Sequence, residues 1–261
     1  SLLLSLSLLL SLSLFSQTHS LHLGGGLLHS GEQDRAYSPL TYSGSAPLLM
    51  VGYSREGSKR SEGWWGHYSA GNRKNIHGAR LRLLTAGLFN YTLYHAPQKA
   101  GRGFHFGWSN NNLMSLRNFQ DARNFSPRFD YHSSLGPAAR YRRPLDELPP
   151  GLSVEVLGHV QLIGFFLQSS LVSGAPSAYE EGEEGLNAIL SSLQLFHPGR
   201  AWNVGLWPRL SYTLPSGNRL SLSYRYEYSS LEEARRARSS RGYYVLEVEA
   251  VLGTRISGPR K

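Results

Sequence analysis

Apolar and polar residues alternate along much of the chain with a period of two, which places successive side chains on opposite faces of a β-strand. In residues 219–228, leucine and tyrosine occupy every even position, whereas serine, arginine and glutamate occupy the odd positions from 221 to 227. Residues 202–214 and 243–252 alternate in the same way. A soluble sandwich would cover the apolar face with a second sheet, and a membrane barrel would turn it to lipid. The pattern therefore predicts an all-β fold of one of these two kinds.

The N-terminus favours the membrane barrel. Residues 1–15 are almost only leucine and serine, as in the apolar core of a secretory signal, and are fewer than the roughly 20 residues of a spanning helix. We expect a signal peptide in 1–16, incomplete at its start because neither Met nor a basic residue precedes it. Residues 17–261 are expected to form a single domain. An exported membrane domain without a long apolar helix must be a closed barrel, since only helices and barrels satisfy the backbone in lipid.

The lengths of the connections predict the topology. Short, turn-rich connections alternate with longer ones, as in outer-membrane barrels with short periplasmic turns. We expect a closed antiparallel transmembrane up-and-down β-barrel of about ten strands in the outer membrane of a Gram-negative bacterium, with both termini in the periplasm. Residues 62–71 alternate poorly, so eight or twelve strands stay open as alternatives. The predicted strands are 19–30, 46–57, 62–71, 79–95, 102–117, 128–143, 151–171, 201–214, 218–229 and 242–256.

The amino-acid composition excludes several kinds of binding and catalytic site. The chain has no cysteine, which excludes disulfides and thiolate metal sites. Its formal charge of +9 comes from arginines scattered through strands and turns, without a basic helix or a nucleic-acid motif. We therefore expect anionic lipid and lipopolysaccharide as partners, and not nucleic acid. No metal-ligand spacing or cofactor motif is present, so neither a metal nor a cofactor is predicted.

Alternation also assigns an inward face to each strand. Acidic and basic residues are mixed on this face, so buried charges can pair, which favours a plugged lumen over a narrow channel. Strand 151–171 is predicted to turn Leu157, Ile163 and Phe165 inward. Strand 79–95 is predicted to turn Asn90 and Tyr94 inward and to turn outward Leu81, Leu83, Phe89, Tyr91 and Leu93. The predicted lumen network comprises Arg80, Arg82, Asp130, Arg140, Glu155, His159, Arg209, Arg225, Glu227, Glu247 and Glu249.

His132 and Ser134 are candidates for a catalytic pair, because residues two apart share a strand face. The pair resembles the dyad of outer-membrane phospholipase A and lipid A deacylase, in which serine is followed by asparagine and the dyad faces lipid. Here Leu135 follows, and Phe129, Tyr131 and Leu135 are the better lipid-facing set, which turns His132 and Ser134 into the lumen. We therefore expect a protein that is not an enzyme.

Several stretches resemble outer-membrane β-barrel proteins of Bacteroidota without assigned function. They are the signal ending before Gln17, residues 36–40 (AYSPL), Gly107-Trp108 followed by three asparagines at 110–112, and residues 134–137 (SLGP). The resemblance implies location and fold, and offers no catalytic residues.

Three hypotheses about function follow from these patterns. The first is a small non-enzymatic barrel that acts as a scaffold or as a surface-interaction subunit of an envelope assembly, with loops 31–45 and 172–200 contacting other envelope proteins. The second is a narrow channel for small solutes. The third is an outer-membrane lipid hydrolase that uses His132 and Ser134.

Overall fold

The computed structural model describes residues 17–35, 38–96, 103–121, 127–145, 150–168, 185–232 and 236–252. Most of them lie in β-strands. The strands are β1 (Thr18–Asp34), β2 (Tyr42–Glu56), β3 (Arg60–Lys74), β4 (Arg80–His95), β5 (Gly103–Phe119), β6 (Arg128–Pro144), β7 (Leu152–Gln161), β8 (Ile163–Gln168), β9 (Gln194–Phe196), β10 (Ala201–Thr213), β11 (Arg219–Glu232) and β12 (Arg236–Val251). A short helix, α1 (Gly185–Ser191), precedes β9. No helix in the described ranges has the length and apolar character needed to cross a membrane.

The strands form one closed antiparallel sheet. Neighbours along the chain pair from β1 to β6 and from β10 to β12, and β1 pairs with β12. Because β6 pairs with β7 along one part of its length and with β8 along another, β7 and β8 are consecutive parts of one wall strand. In the same way β9 and β10 line one side of that wall strand. The wall thus has ten strands in up-and-down order, which confirms the predicted barrel and excludes two packed sheets.

The two ends of the barrel differ in their connections. At the terminal end, where β1 begins and β12 ends, residues 57–59 and 214–218 form short turns. At the opposite loop end, β1 continues to Asp34 and β2 begins at Tyr42, so the connection predicted as 31–45 is shorter than expected. The predicted loop 172–200 is not irregular throughout, since it contains α1 and β9, and its residues 172–184 lie outside the described ranges.

An apolar belt surrounds the outer surface. Leu222, Leu246 and Trp108 lie in it, and between 56% and 60% of each side chain is exposed. Aromatic side chains such as Tyr94 and Phe104 mark its border toward the terminal end. On a closed antiparallel barrel, such a belt is the surface that the hydrocarbon of a membrane covers.

The faces of β4 are the reverse of the prediction. Arg80 and Arg82, predicted to line the lumen, lie on the outer surface together with Asn90 and Tyr94. The leucine and aromatic face, predicted to meet lipid, is instead buried inside the barrel. The reason is that this part of the lumen is filled by apolar side chains, so polarity does not identify the inner face. The buried residues are Leu81, Leu83, Phe89, Tyr91 and Leu93.

Arg80 has a partner at the loop end of the wall. Its guanidinium lies 3.2 Å from Asp121, and its backbone N–H also donates to that carboxylate, at 2.6 Å. These two hydrogen bonds hold the pKa of the Asp121 carboxyl below its ordinary value. The positive charge of Arg80 is thus paired with the Asp121 carboxylate on the outer surface of the barrel.

A β-bulge explains a second error in the predicted faces. Ala138 of β6 lies opposite His159, but Leu135, three residues earlier, lies opposite Ile163, so one extra residue is inserted between β7 and β8. A one-residue bulge reverses the faces beyond it. Leu157, before the bulge, is buried as predicted, whereas Ile163 and Phe165, after it, are exposed.

Candidate functional site

The interior of the barrel is the candidate functional site, because buried charged and aromatic side chains converge there. They form three layers along the barrel axis. The terminal-end layer surrounds Arg140 and Glu247, the aromatic layer surrounds Trp65, and the loop-end layer surrounds Glu32.

The aromatic layer fills the middle of the lumen. Trp65 of β3 stacks on Tyr91 with 5.3 Å between ring centroids, and it meets Trp207 edge-on at 5.2 Å. Phe89 lies 6.3 Å from Trp207 and 4.9 Å from the ring of His159. Ring pairs at such separations stabilise a fold by about 0.5–1.5 kcal/mol beyond their buried area.

Two glycines make room for Trp65. Gly52 of β2 is directly opposite Trp65 in the strand register, and Gly63 precedes it by two residues on the same face of β3. A Cβ at Gly52 would lie 2.7 Å from the indole Cδ1, closer than van der Waals contact allows. A side chain at Gly52 or Gly63 would therefore displace the indole ring of Trp65.

A buried ion pair lies within the aromatic layer. The guanidinium of Arg225 lies 4.4 Å from the centre of the Phe89 ring, and its Nε donates to Glu227 Oε1 at 3.0 Å. The Tyr243 hydroxyl donates to the other oxygen of Glu227 at 3.2 Å, and the Asn111 amide donates to Oε1 at 3.4 Å. Both charged side chains are almost fully buried, so the carboxylate and the ring faces together replace the water that a cation would need.

The terminal-end layer contains charged side chains that are held by several partners. Arg140 donates to both carboxylate oxygens of Glu56, at 2.7 and 3.2 Å, and lies 3.7 Å from Glu155. Such bidentate pairs fix the orientation of a guanidinium. This layer also contains the pairs of Glu247 with His22 at 3.0 Å and with Arg209 at 3.6 Å, and of Glu249 with Arg219 at 3.1 Å.

The loop-end layer is centred on a buried carboxylate between two arginines. Glu32 lies 3.0 Å from Arg117 and 3.1 Å from Arg241, and Arg117 also pairs with Asp130. A cavity of about 20 Å³ beside these side chains, with His132 in its lining, has room for about one water molecule.

The predicted lumen residues do not form one network but are divided among the three layers. Arg80 and Arg82 are not part of them. The residues that the structure places inside the barrel are Asp130, Arg140, Glu155, His159, Arg209, Arg225, Glu227, Glu247 and Glu249.

Several important lumen residues are missing from the sequence prediction. Glu32 and Arg241 lie in segments that the pattern assigns to connections, because strands β1 and β12 continue beyond their predicted ends. Trp65 lies in the strand with the poorest alternation, beside the exposed Trp64. Glu32 and Arg241 would have been assigned to the lumen only if the predicted strands 19–30 and 242–256 had been extended toward the loop end.

His132 and Ser134 both lie inside the barrel but do not bond each other. The Ser134 hydroxyl donates to the backbone oxygen of Asn111 at 3.4 Å. His132 Nε2 has no hydrogen-bond partner within the described part of the chain, and its ring lies 6.2 Å from that of Phe196. The arrangement lacks a base hydrogen-bonded to its nucleophile, and both side chains are buried away from lipid.

No His, Asp and Glu side chains in the described ranges form a group of three that could hold a metal ion. This finding concerns only the residues that the structure describes.

The sequence matches no protein-family model and no curated protein. Among solved structures, the chain is similar to the outer membrane protease OmpT of Escherichia coli, with a TM-score of 0.55, 7% identity, and coverage of 91% of this chain and 97% of that one. It is also similar to the beta domain of the Bordetella autotransporter BrkA, with a TM-score of 0.41, 14% identity, and coverage of 88% and 99%. The likeness to OmpT shows that this chain has the fold of outer-membrane β-barrels.

Proposed function

We propose that this protein is a barrel of the outer membrane with a closed lumen, and that it acts as a rigid non-enzymatic scaffold for interaction surfaces at its loop end. The aromatic layer is the observation that carries the proposal. Trp65 and Trp207 meet at 5.2 Å in the middle of the lumen, and the guanidinium of Arg209 packs on both rings. Charged layers on both sides of these rings are held by ion pairs within the barrel.

The wall extends beyond the apolar belt at the loop end. The last large apolar residue on the outer face of β1 is Leu27, but the strand continues to Asp34. With strands tilted by about 40°, this continuation adds roughly 15–20 Å of wall beyond the belt. His29 and Gln33 lie on its outer face, which supports a surface for other envelope proteins formed together with segments 31–45 and 172–200.

Charge on the outer wall supports an orientation. Lys74 and Arg82 are exposed on β3 and β4 at the loop end, just beyond the belt, next to the Arg80–Asp121 pair. Cations at this level match the phosphates of lipopolysaccharide. Together with the short turns at the terminal end, which outer-membrane barrels turn to the periplasm, they support a loop end outside the cell and both termini in the periplasm. The leucine-rich residues 1–16 fit the export that this location requires.

Conductance tests the closed lumen and separates the scaffold from a narrow channel. Purified protein inserted into planar bilayers is expected to produce no stable current steps, because the aromatic layer leaves no continuous aqueous path. Insertion is checked independently by protease protection and by the mobility shift of the unboiled protein in SDS gels. Reproducible ohmic steps from inserted protein would reject the scaffold with a closed lumen in favour of the channel.

The same proposal excludes lipid hydrolysis through His132 and Ser134. An acyl chain would have to cross the wall to reach either side chain, and neither is bonded to the other. Incubation with phospholipid or lipopolysaccharide, with and without Ca²⁺, is expected to release no fatty acid above background. Release by the wild type that disappears in Ser134→Ala would establish the hydrolase instead.

A further inference from the structure

The outer face of β4, β5 and β6 carries a cluster of polar side chains. Asn90, Asn110 and Asn112 lie on this face and are partly exposed. Ser133 lies directly opposite Asn112 in the register of β5 and β6, and Tyr131 is the next outward residue on β6. We call these five residues the amide patch.

The amide patch lies inside the apolar belt and not at its border. On the outer face of β5, aromatic residues from Phe104 to Trp108 precede the asparagines, and Met114 and Leu116 follow them. At this level the patch meets the hydrocarbon of the membrane. On the far side of the barrel, the described outer face of β11 has no such cluster and consists of Leu220, Leu222, Tyr224, Tyr226 and Tyr228.

Hydrogen bonds within the patch hold the amides in place. The Asn90 amide donates to Asn110 Oδ1 at 3.4 Å, and Asn112 donates to the same oxygen. The Asn110 amide donates to the backbone oxygen of Ser134 at 3.0 Å, and the Tyr131 hydroxyl donates to Asn112 Oδ1 at 3.3 Å. The patch is therefore an ordered surface.

These bonds do not use all the polar groups of the patch. Within the described part of the chain, neither Asn90 Oδ1 nor the Ser133 hydroxyl has a hydrogen-bond partner, and Asn90 and Asn110 each retain one free amide hydrogen. Lipid tails offer no hydrogen bonds, so unpaired donors and acceptors in the belt are costly. The patch needs a polar partner inside the membrane.

We propose that a second copy of this chain covers the amide patch, wall against wall, within the membrane. Two copies inserted in the same direction can be related by a two-fold axis only along the membrane normal. Each height on one wall then meets the same height on the other, so the amide patch faces itself. An amide both donates and accepts, and is therefore complementary to a second amide, whereas lipid is not. This inference stands independently of the scaffold role.

The absence of cysteine allows a direct test by cross-linking. Met114→Cys introduces one thiol beside the amide patch and leaves every amide in place, and Leu222→Cys is the matched thiol on the opposite wall. In liposomes of low protein content under mild oxidation, Met114→Cys is expected to form disulfide-linked dimers and Leu222→Cys to remain monomeric. Equal cross-linking of both variants, or monomers in both, would overturn the proposal. If both variants stay monomeric, the molecule that covers the amide patch would instead be another membrane protein.

A second comparison tests the amides themselves. Adding Asn90→Leu, Asn110→Leu and Asn112→Leu to Met114→Cys removes the polar contacts and keeps the thiol. Losing two hydrogen bonds of the strength measured between membrane-embedded side chains is expected to weaken dimerisation about tenfold. The mobility shift of unboiled protein in SDS gels verifies that the barrel is folded. Undiminished cross-linking of the folded quadruple variant would contradict the amide contact. If this variant does not fold, the comparison of Met114→Cys with Leu222→Cys still tests the proposal.

Discussion

Replacing Glu227 with leucine is expected to lower the free energy of unfolding by about 3–5 kcal/mol. Only 1% of Glu227 is exposed, and its carboxylate accepts hydrogen bonds from Arg225, Tyr243 and Asn111. Leucine removes this acceptor and leaves the Arg225 guanidinium buried without its carboxylate. Urea unfolding of the protein in lipid vesicles, followed by tryptophan fluorescence, measures the loss.

Two further variants show whether the loss comes from the uncompensated charge. Arg225→Met combined with Glu227→Leu is expected to recover most of the stability, since apolar replacement of a whole buried pair is often neutral. Glu62→Ala is the control on a more exposed ion pair, in which Glu62 lies 2.8 Å from Arg55, and its expected effect is about 0–1 kcal/mol. A Glu227→Leu loss no greater than that of Glu62→Ala would contradict the buried pair.

Replacing Trp65 with alanine is expected to cost about 3–5 kcal/mol, because the site is closely packed by other rings. Trp65 is 1% exposed and contacts Tyr91 and Trp207. The double variant Trp65→Ala/Trp207→Ala removes both indoles from the aromatic layer. It is therefore expected to conduct ions in planar bilayers while the wild type remains silent.

Trp64→Ala is the matched control for this prediction. Trp64 is the preceding residue of the same strand, but it points to lipid and is 48% exposed. Its loss is expected to leave conductance unchanged and to affect stability less than Trp65→Ala. A double variant that folds but remains silent would place the barrier to ions in the charged layers and not in the aromatic layer.

Alternation is a reliable guide to strands but a poorer guide to their inner faces. Strand β11 has a polar face in the lumen and an apolar face in the belt, so polarity and position agree. In β4 they disagree, because Phe89 packs in the aromatic layer while Asn90 belongs to the amide patch. A period of two is unchanged when a strand is turned over, so the sequence of β4 alone does not distinguish these alternatives.

The bulge between β7 and β8 is a second case in which the sequence predicts a strand but not which residues face the lumen. Leu162 lies in an unbroken apolar run, and nothing in the local pattern marks it as an extra residue in the register. Only the pairing of both halves with β6 shows it. The exposed Phe165 and the buried Phe166 are direct consequences.

The sequence alone predicted the closed up-and-down order, the approximate ends of the strands and a number near ten, with eight or twelve left open, because side-chain periodicity and turn residues are local properties. The structure fixed the number at ten. The sequence also placed Arg225 and Glu227 inside the barrel, since both lie in a strand whose faces differ strongly in polarity. The tertiary structure decided what fills the lumen and what the lipid-facing wall presents. Trp65 reaches Trp207 only when β3 and β10 face each other across the closed barrel, and the amide patch exists only when the outer faces of three strands are brought side by side.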